Sequence, residues 1–192
     1  MADEPTPAAT LAHPALAQLN DALDGIREAP SDEGRLHLIV RRPAVGAREV
    51  LEEGELDPAT GLVGDTWDQR GSRHTADGSS HPEMQITLMS VRAIGAIIAD
   101  EARWPLAGDQ LFVDLDLTVA NLPPGTRLDV GDATLEVTAQ PHTGCSKFVA
   151  RFGLDAMKWV NSPAGRALNL RGIYARVVQG GHIRRGDMLR KA

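Results

Sequence analysis

Apolar residues in this chain recur in short alternating runs, each stopped by glycine or proline, rather than in long continuous stretches. Alternation puts successive side chains on opposite faces of an extended strand, so each run can be half-buried in a sheet. Over 35–42, Leu36, Leu38 and Val40 face one way while His37 and Arg41 face the other, and Pro43 stops the run. Met84, Ile86 and Leu88 alternate across 82–90, and the charge-rich segment 48–56 reads as an exposed strand around Val50. Val130-Gly131-Asp132-Ala133 joins a strand carrying Leu128 and Val130 to one carrying Leu135 and Val137. Further on, 172–178 and 182–189 flank Gly180-Gly181, a second hairpin signal. Many short strands with glycine turns and few long helices predict a mostly β, α+β-type fold: a small β-barrel with a few peripheral helices.

Two segments carry helical spacing instead. Ala12, Leu16, Leu19, Leu23 and Ile26 recur at three- and four-residue steps, which predicts an N-terminal helix over 12–28. Ser90 is placed to cap a short helix over 91–99 whose buried face is Ile94, Ile97 and Ile98. Residues 1–10 are small, polar and proline-bearing, and are expected to be loosely attached. The organisation that follows is a tail and helix over 1–34 and one barrel domain over 35–192.

Composition excludes several classes. A chain of 192 residues with 42% hydrophobic content can bury a core without disulfides or a structural metal. A net charge of −6 lacks the basic footprint of a dedicated nucleic-acid binder. No apolar run approaches the ~20 residues of a membrane-spanning helix, and the first residues lack the basic start of a signal peptide. A cytoplasmic protein without membrane attachment is the expectation. Cys145 is the only cysteine, so neither an intramolecular disulfide nor a zinc site with two thiolates can form within one chain.

Two segments stand out chemically. Residues 68–82, DQRGSRHTADGSSHP, run for 15 positions without a large apolar side chain and carry Arg70, Arg73, His74 and His81. A loop that long is either a solvated surface loop or a binding loop at the rim of a ligand site, and its donors suit an anion. His74 and His81 have no acid or cysteine at metal-ligand spacing. The second segment is Gln140-Pro141-His142-Thr143-Gly144-Cys145-Ser146-Lys147-Phe148. Pro141 and Gly144 keep Cys145 out of a helix or strand interior, in a loop where a thiol can meet solvent. His142 and Lys147 stand close enough in sequence to add positive charge that favours thiolate, although a lone cysteine can equally be an inert packing residue. Asp65, Asp109, Asp132 and Asp187 each follow a glycine and read as turn formers. Phe152, Met157 and Trp159 read as core.

The order of several words resembles the MOSC family, the domain named after the C-terminal part of molybdenum cofactor sulfurase. These words are Gly64-Asp65, Gly108-Asp109, Asn121-Leu122-Pro123 and Gly131-Asp132-Ala133-Thr134-Leu135-Glu136-Val137. They continue through Pro141-His142-Thr143-Gly144-Cys145, Arg151-Phe152-Gly153, Arg171-Gly172-Ile173-Tyr174-Ala175-Arg176-Val177 and Gly181-His182-Ile183-Arg184-Arg185-Gly186-Asp187. The resemblance spans roughly residues 35–190 and implies a β-barrel. It also implies a cysteine that carries sulfur or ligates molybdenum, and in some members reduction of N-hydroxylated compounds. On that reading Cys145, with His142 and Lys147, forms the catalytic group, and Cys145 is the metal ligand. Arg70, Arg73, His81, Thr143 and Arg171 would bind the molybdenum cofactor, and a small molecule or a sulfur-donor protein would be the partner. Pyridoxal phosphate is not expected, because none of Lys147, Lys158 and Lys191 lies in a phosphate-binding context. The alternative is a non-catalytic module that holds a phosphate-bearing ligand or a partner protein in the same barrel.

Overall fold

The computed structural model describes residues 13–72 and 75–192. Ala12, Arg73, His74 and the tail over 1–10 lie outside these. Two short helices come first, α1 (Leu16–Asp21) and α2 (Leu23–Arg27), followed by β1 (Glu33–Arg41), β2 (Glu49–Leu51), β3 (Glu53–Asp57) and β4 (Gly61–Leu62). After an irregular stretch and a 3-10 turn at Pro82–Met84 come β5 (Ile86–Ser90) and α3 (Val91–Ile97). A 3-10 helix at Glu101–Ala107 leads into β6 (Leu111–Asp114), β7 (Arg127–Val130) and β8 (Ala133–Val137). The last elements are α4 (Ser146–Asn161), α5 (Pro163–Ala167), β9 (Ile173–Gln179), β10 (Gly181–Arg184) and β11 (Met188–Lys191).

Seven strands close a barrel in the order β11-β7-β8-β9-β5-β6-β1, and β1 returns to pair with β11. Only β5 and β6 run parallel; their connection crosses over through α3 and the 3-10 helix, as parallel neighbours require. β2 adds to the outside of β1, and β10-β3-β4 form a small separate sheet. The pleat sorts the core into two bodies. Ile86, Leu88, Leu111, Val113, Leu128 and Leu135 fill the barrel. Met89 and Phe112, from the same strands, point outward and pack with Phe148, Phe152, Trp159 and Ile94 of the helices. The core assignment of Phe152 and Trp159 agrees with their full burial.

Three expectations change in detail. The N-terminal stripe forms two helices in succession, with only Leu19 and Ile26 fully engaged in the outer core. β1 does not keep one period. The register slips between Leu36 and Leu38, so Leu36 and Ile39 face the barrel interior while Leu38 and Val40 face the helices; such a bulge inserts one residue and switches faces. Gly180-Gly181 is not a hairpin turn either, because β9 stays in the barrel while β10 leaves to pair with β3. Neither glycine has a positive φ. Each sits where backbones approach closely: a Cβ on Gly181 would lie 2.5 Å from the Asp132 carbonyl. By contrast Gly131-Asp132 does join paired strands, β7 and β8, and Ser90 does cap α3, its Oγ accepting from the Ala93 N–H.

Candidate functional site: an arginine-lined cleft beside Cys145

The C-terminal end of the 3-10 helix Glu101–Ala107 organises the site. Carbonyls at a helix end have spare acceptor capacity, and the four consecutive ones of residues 105–108 each accept from a different arginine; that of Pro105 also accepts from the Gly108 N–H. Arg48 Nε donates to the Pro105 carbonyl (3.0 Å), and Arg151 Nη1 to that of Leu106. Arg171 Nη2 donates to Ala107 (3.0 Å) and Arg42 Nη1 to Gly108 (2.9 Å). The four arginines come from the end of β1, the loop after it, α4 and the entrance to β9. Gly108 turns the backbone with φ +90°, and the Cβ it lacks would stand 3.4 Å from Arg48 Nη2.

Two of the guanidiniums are neutralised from below. Arg42 forms a bidentate pair with Asp65 through Nε and Nη2, at 2.7 and 2.8 Å, and Arg171 donates from Nη1 to both oxygens of Asp109, at 2.9 and 2.7 Å. Both carboxylates have fully buried side chains. Here the reading of these aspartates as turn formers is incomplete: Asp65 Oδ1 does accept from the Trp67 N–H in a turn, but each Gly-Asp word also aims a carboxylate inward at an arginine distant in sequence. Asp187 does behave as a turn residue, accepting from the Arg184 N–H. Arg70 shares Asp65 at 3.5 Å. Arg48 and Arg151 hold carbonyls and no carboxylate among the described residues. Burial lowers the pKa of Arg48, and so do the neighbouring charges of Arg151, Arg42 and Arg70. Burial and Arg42 act in the same direction on Arg70.

The cleft above these groups measures about 470 Å³ and is lined by Arg42, Arg48, Arg70, Arg151 and Arg171 together with Lys147 and Cys145. Cys145 occupies the N-cap position of α4 in extended conformation (φ −125°, ψ 179°), exposed, and its side chain makes no capping bond. Gly153 (φ +85°, ψ 168°) breaks α4 into two helical segments, and the fold-back clamps the loop that carries Cys145 to the last residue of the second. The Asn161 amide accepts from the Gly144 N–H (3.0 Å) and donates to the Gly144 carbonyl (3.2 Å). Lys147 and Arg151 stand four residues apart, on one face of α4. The Phe148 ring lies 5.0 Å from the Arg171 guanidinium carbon, a cation–π distance. Arg171 Nε is buried and has no hydrogen-bond partner among the described residues.

Of the residues expected at a site, Cys145, Lys147, Arg70 and Arg171 come together in this cleft. Thr143 is exposed beside it without lining it. His81 stands apart, its Nδ1 accepting from the Glu83 N–H to cap the 3-10 turn. Arg73 lies outside the described residues. His142 does not line the cleft: its ring is buried, 4.4 Å from the Tyr174 ring and with Nδ1 3.7 Å from Asp109 Oδ1. That separation is too long for a hydrogen bond, and Nδ1 has no hydrogen-bond partner among the described residues. Burial holds the His142 pKa well below its ordinary 6.5, reinforced by Arg171 and Arg42, so the ring is neutral and the Asp109 contact is not an ion pair. Arg42, Arg48 and Arg151 were not singled out as binding residues from sequence. Arg151 carried a partial signal in the Arg-Phe-Gly word, whereas Arg42 and Arg48 carried none.

A pH dependence follows from His142. Its folded-state pKa is depressed, so below about pH 6.5 the unfolded chain binds a proton that the folded chain does not. Stability therefore falls on acidification through that range, by up to about 1.4 kcal/mol per pH unit from this group. Urea unfolding of wild type and His142→Gln at a series of pH values is expected to show that slope in their difference. A difference independent of pH would mean the imidazole titrates normally in the fold.

A family model described as MOSC domain matches residues 71–190. Among curated proteins no sequence matches. Similar solved structures include the YuaD protein from Bacillus subtilis, 17% identical, with a TM-score of 0.59 over 82% of this chain and 94% of that one. YiiM from Escherichia coli is 19% identical, with a TM-score of 0.55 over 82% of this chain and 69% of that one. YiiM from Geobacillus stearothermophilus is 16% identical, with a TM-score of 0.52 over 83% and 75% respectively. At these identities the likeness is one of fold.

Proposed function

Since this chain belongs to the MOSC domain family, we propose that the arginine-lined cleft binds a phosphate-bearing molybdenum cofactor and that Cys145 supplies the sulfur ligand to the metal. One observation carries this reading: two arginines without a carboxylate partner among the described residues, held in place by backbone carbonyls, share a cleft with the only thiol of the chain. The residues fit such a group on three counts. Thiolate is a soft ligand suited to such metals. Guanidiniums form the strongest hydrogen bonds to phosphate oxygens. A volume of about 470 Å³ lies in the range of small-molecule sites. When bound, the cofactor supplies the redox chemistry, and the protein supplies binding and orientation.

In this arrangement Arg48, Arg151 and Lys147 hold the phosphate. Arg42 and Arg171, already neutralised by Asp65 and Asp109, shape the floor. Phe148 closes one wall, and the Asn161 clamp on Gly144 fixes the height of Cys145 above the floor.

The test is to produce the protein in cells that make the cofactor and to measure molybdenum per chain and released pterin. Wild type is expected to carry both in near-stoichiometric amount. Cys145→Ala is expected to lose most of the metal, and Arg48→Ala combined with Arg151→Ala to lose metal and pterin together. Wild-type protein free of both would overturn the reading and favour a non-catalytic anion-binding module.

A further inference from the structure

The cleft holds one more cation than a phosphate-bearing cofactor uses. In the loaded cleft a phosphate dianion and the Cys145 thiolate balance Arg48, Arg151 and Lys147, while Asp65 and Asp109 balance Arg42 and Arg171. Arg70 is left over. We propose that Arg70 marks a second anion subsite of the cleft, which binds the carboxylate of a small organic acid with an apolar body. This acid shares the cleft with the phosphate-bearing group, and its subsite rests on the cofactor-binding reading for the balance of charge.

Asp65 does not serve as the counter-charge of Arg70. A carboxylate offers about four lone-pair positions, and those of Asp65 are taken. Its Oδ2 accepts from the Arg42 N–H (2.9 Å) and Arg42 Nε (2.7 Å). Its Oδ1 accepts from Arg42 Nη2 (2.8 Å) and the Trp67 N–H (2.9 Å). Arg70 Nη2 stands 3.5 Å from Oδ1, beyond the usual length of a hydrogen bond. One negative charge therefore lies between two guanidiniums, and no other carboxylate pairs with Arg70 among the described residues.

The Arg70 side chain is nonetheless held in position. Thr66 Oγ1 donates to the Arg42 carbonyl (3.0 Å) and accepts from Arg70 Nε (3.0 Å). Arg70 Nη1 has no hydrogen-bond partner among the described residues, and the side chain lines the cleft about half-exposed. A planar fork fixed at Nε and open at its end matches the two oxygens of a carboxylate. The single surplus charge selects a monoanion, since a second phosphate dianion would leave negative charge unbalanced. The same cleft offers Ala44, Val45, Phe148 and Ala150 as apolar wall. Val45 is 96% exposed, and an apolar body laid against it removes that surface from water.

The test uses the full-length, cofactor-free protein with sodium benzoate as the probe. Benzamide is its neutral counterpart, and inorganic phosphate occupies the Arg48–Arg151 side. Binding is read by ligand-observed NMR titration at constant ionic strength. Benzoate is expected to bind at least about 10-fold more tightly than benzamide, the scale of a charge-assisted hydrogen bond. Added phosphate is expected to shift the benzoate affinity by no more than about 3-fold, as for screened charges in separate subsites. Arg70→Gln, a change at a half-exposed position that leaves the Arg42–Asp65 pair in place, is expected to weaken benzoate about 10- to 100-fold. The same variant is expected to weaken phosphate by less than about 3-fold, and Arg48→Ala combined with Arg151→Ala to give the reverse pattern. Equal binding of benzoate and benzamide would overturn the proposal. So would competitive displacement of benzoate by phosphate, or an Arg70→Gln protein that binds benzoate as wild type does. Molybdenum and pterin are measured in a separate preparation: protein free of both leaves the benzoate result standing, and benzoate that ignores Arg70 leaves the cofactor result standing.

Discussion

Replacing Asp109 with alanine is expected to remove about 3–5 kcal/mol of folding stability, the range for deleting one partner of a buried ion pair. The Asp109 side chain is fully buried and accepts two bonds from Arg171, which is itself nearly buried. Without the carboxylate, the Arg171 guanidinium keeps the Ala107 carbonyl and the face of Phe148. Neither neutralises a charge held in a low-dielectric setting among other arginines. The loss is expected as a lower urea midpoint at unchanged slope. Removing both charges, as in Asp109→Leu with Arg171→Met, is expected to recover much of that stability, since the desolvation of two ions is no longer required. A double variant as unstable as the sum of its single changes would show that the pair does not act as a unit.

Gly172→Ala is expected to be comparably damaging, for a reason rooted in the backbone. Gly172 has φ +97°, and a Cβ there would lie 2.2 Å from the Leu88 carbonyl oxygen. The conformation disfavours any L side chain by about 1–2 kcal/mol, and forcing β5 away from β9 adds about 1–3 kcal/mol of overpacking. The strand entrance so disturbed is the one that aims Arg171 at Asp109, so anion binding is expected to weaken along with stability. Gly25→Ala provides the contrast. It lies in α2 with open space around its Cβ and no positive φ, and is expected to stabilise by about 0.5–1 kcal/mol. Thermal unfolding of both variants tests the pair, and similar midpoints would refute the steric account.

The barrel was legible in the sequence because its signals are local. The β7–β8 hairpin needs only Gly131-Asp132 and the apolar alternation on each side. The exposed position of Cys145 needs only Pro141 and Gly144 nearby. What the sequence conceals depends on distant partners. Gly64-Asp65, Gly108-Asp109 and Gly186-Asp187 are the same two-letter word, yet two of these carboxylates are buried against arginines and one closes a turn. The partner decides, and Arg171 stands 62 positions from Asp109. The bulge in β1 is equally silent, because Leu36, Leu38, Ile39 and Val40 are all apolar and fit either face. Arg42 and Arg48 gave no warning, since an arginine beside a loop is ordinarily solvated. Their role exists only where the 3-10 helix presents its carbonyls.

The closing pair of the barrel sets an order on biosynthesis. β1 emerges early, and β2 can cover one of its edges over Ile39–Arg41, but the 33–35 part of that edge stays open until residues 188–191 leave the ribosome, as Glu33 pairs with Arg190 and Arg35 with Met188. Until then the nascent chain exposes a strand edge on β1 and another on β7, the two neighbours that β11 joins. Open edges of this kind are templates for pairing with other chains, and contacts so distant in sequence form slowly. A nascent chain of this fold is therefore an expected client of holding chaperones up to the moment β11 docks.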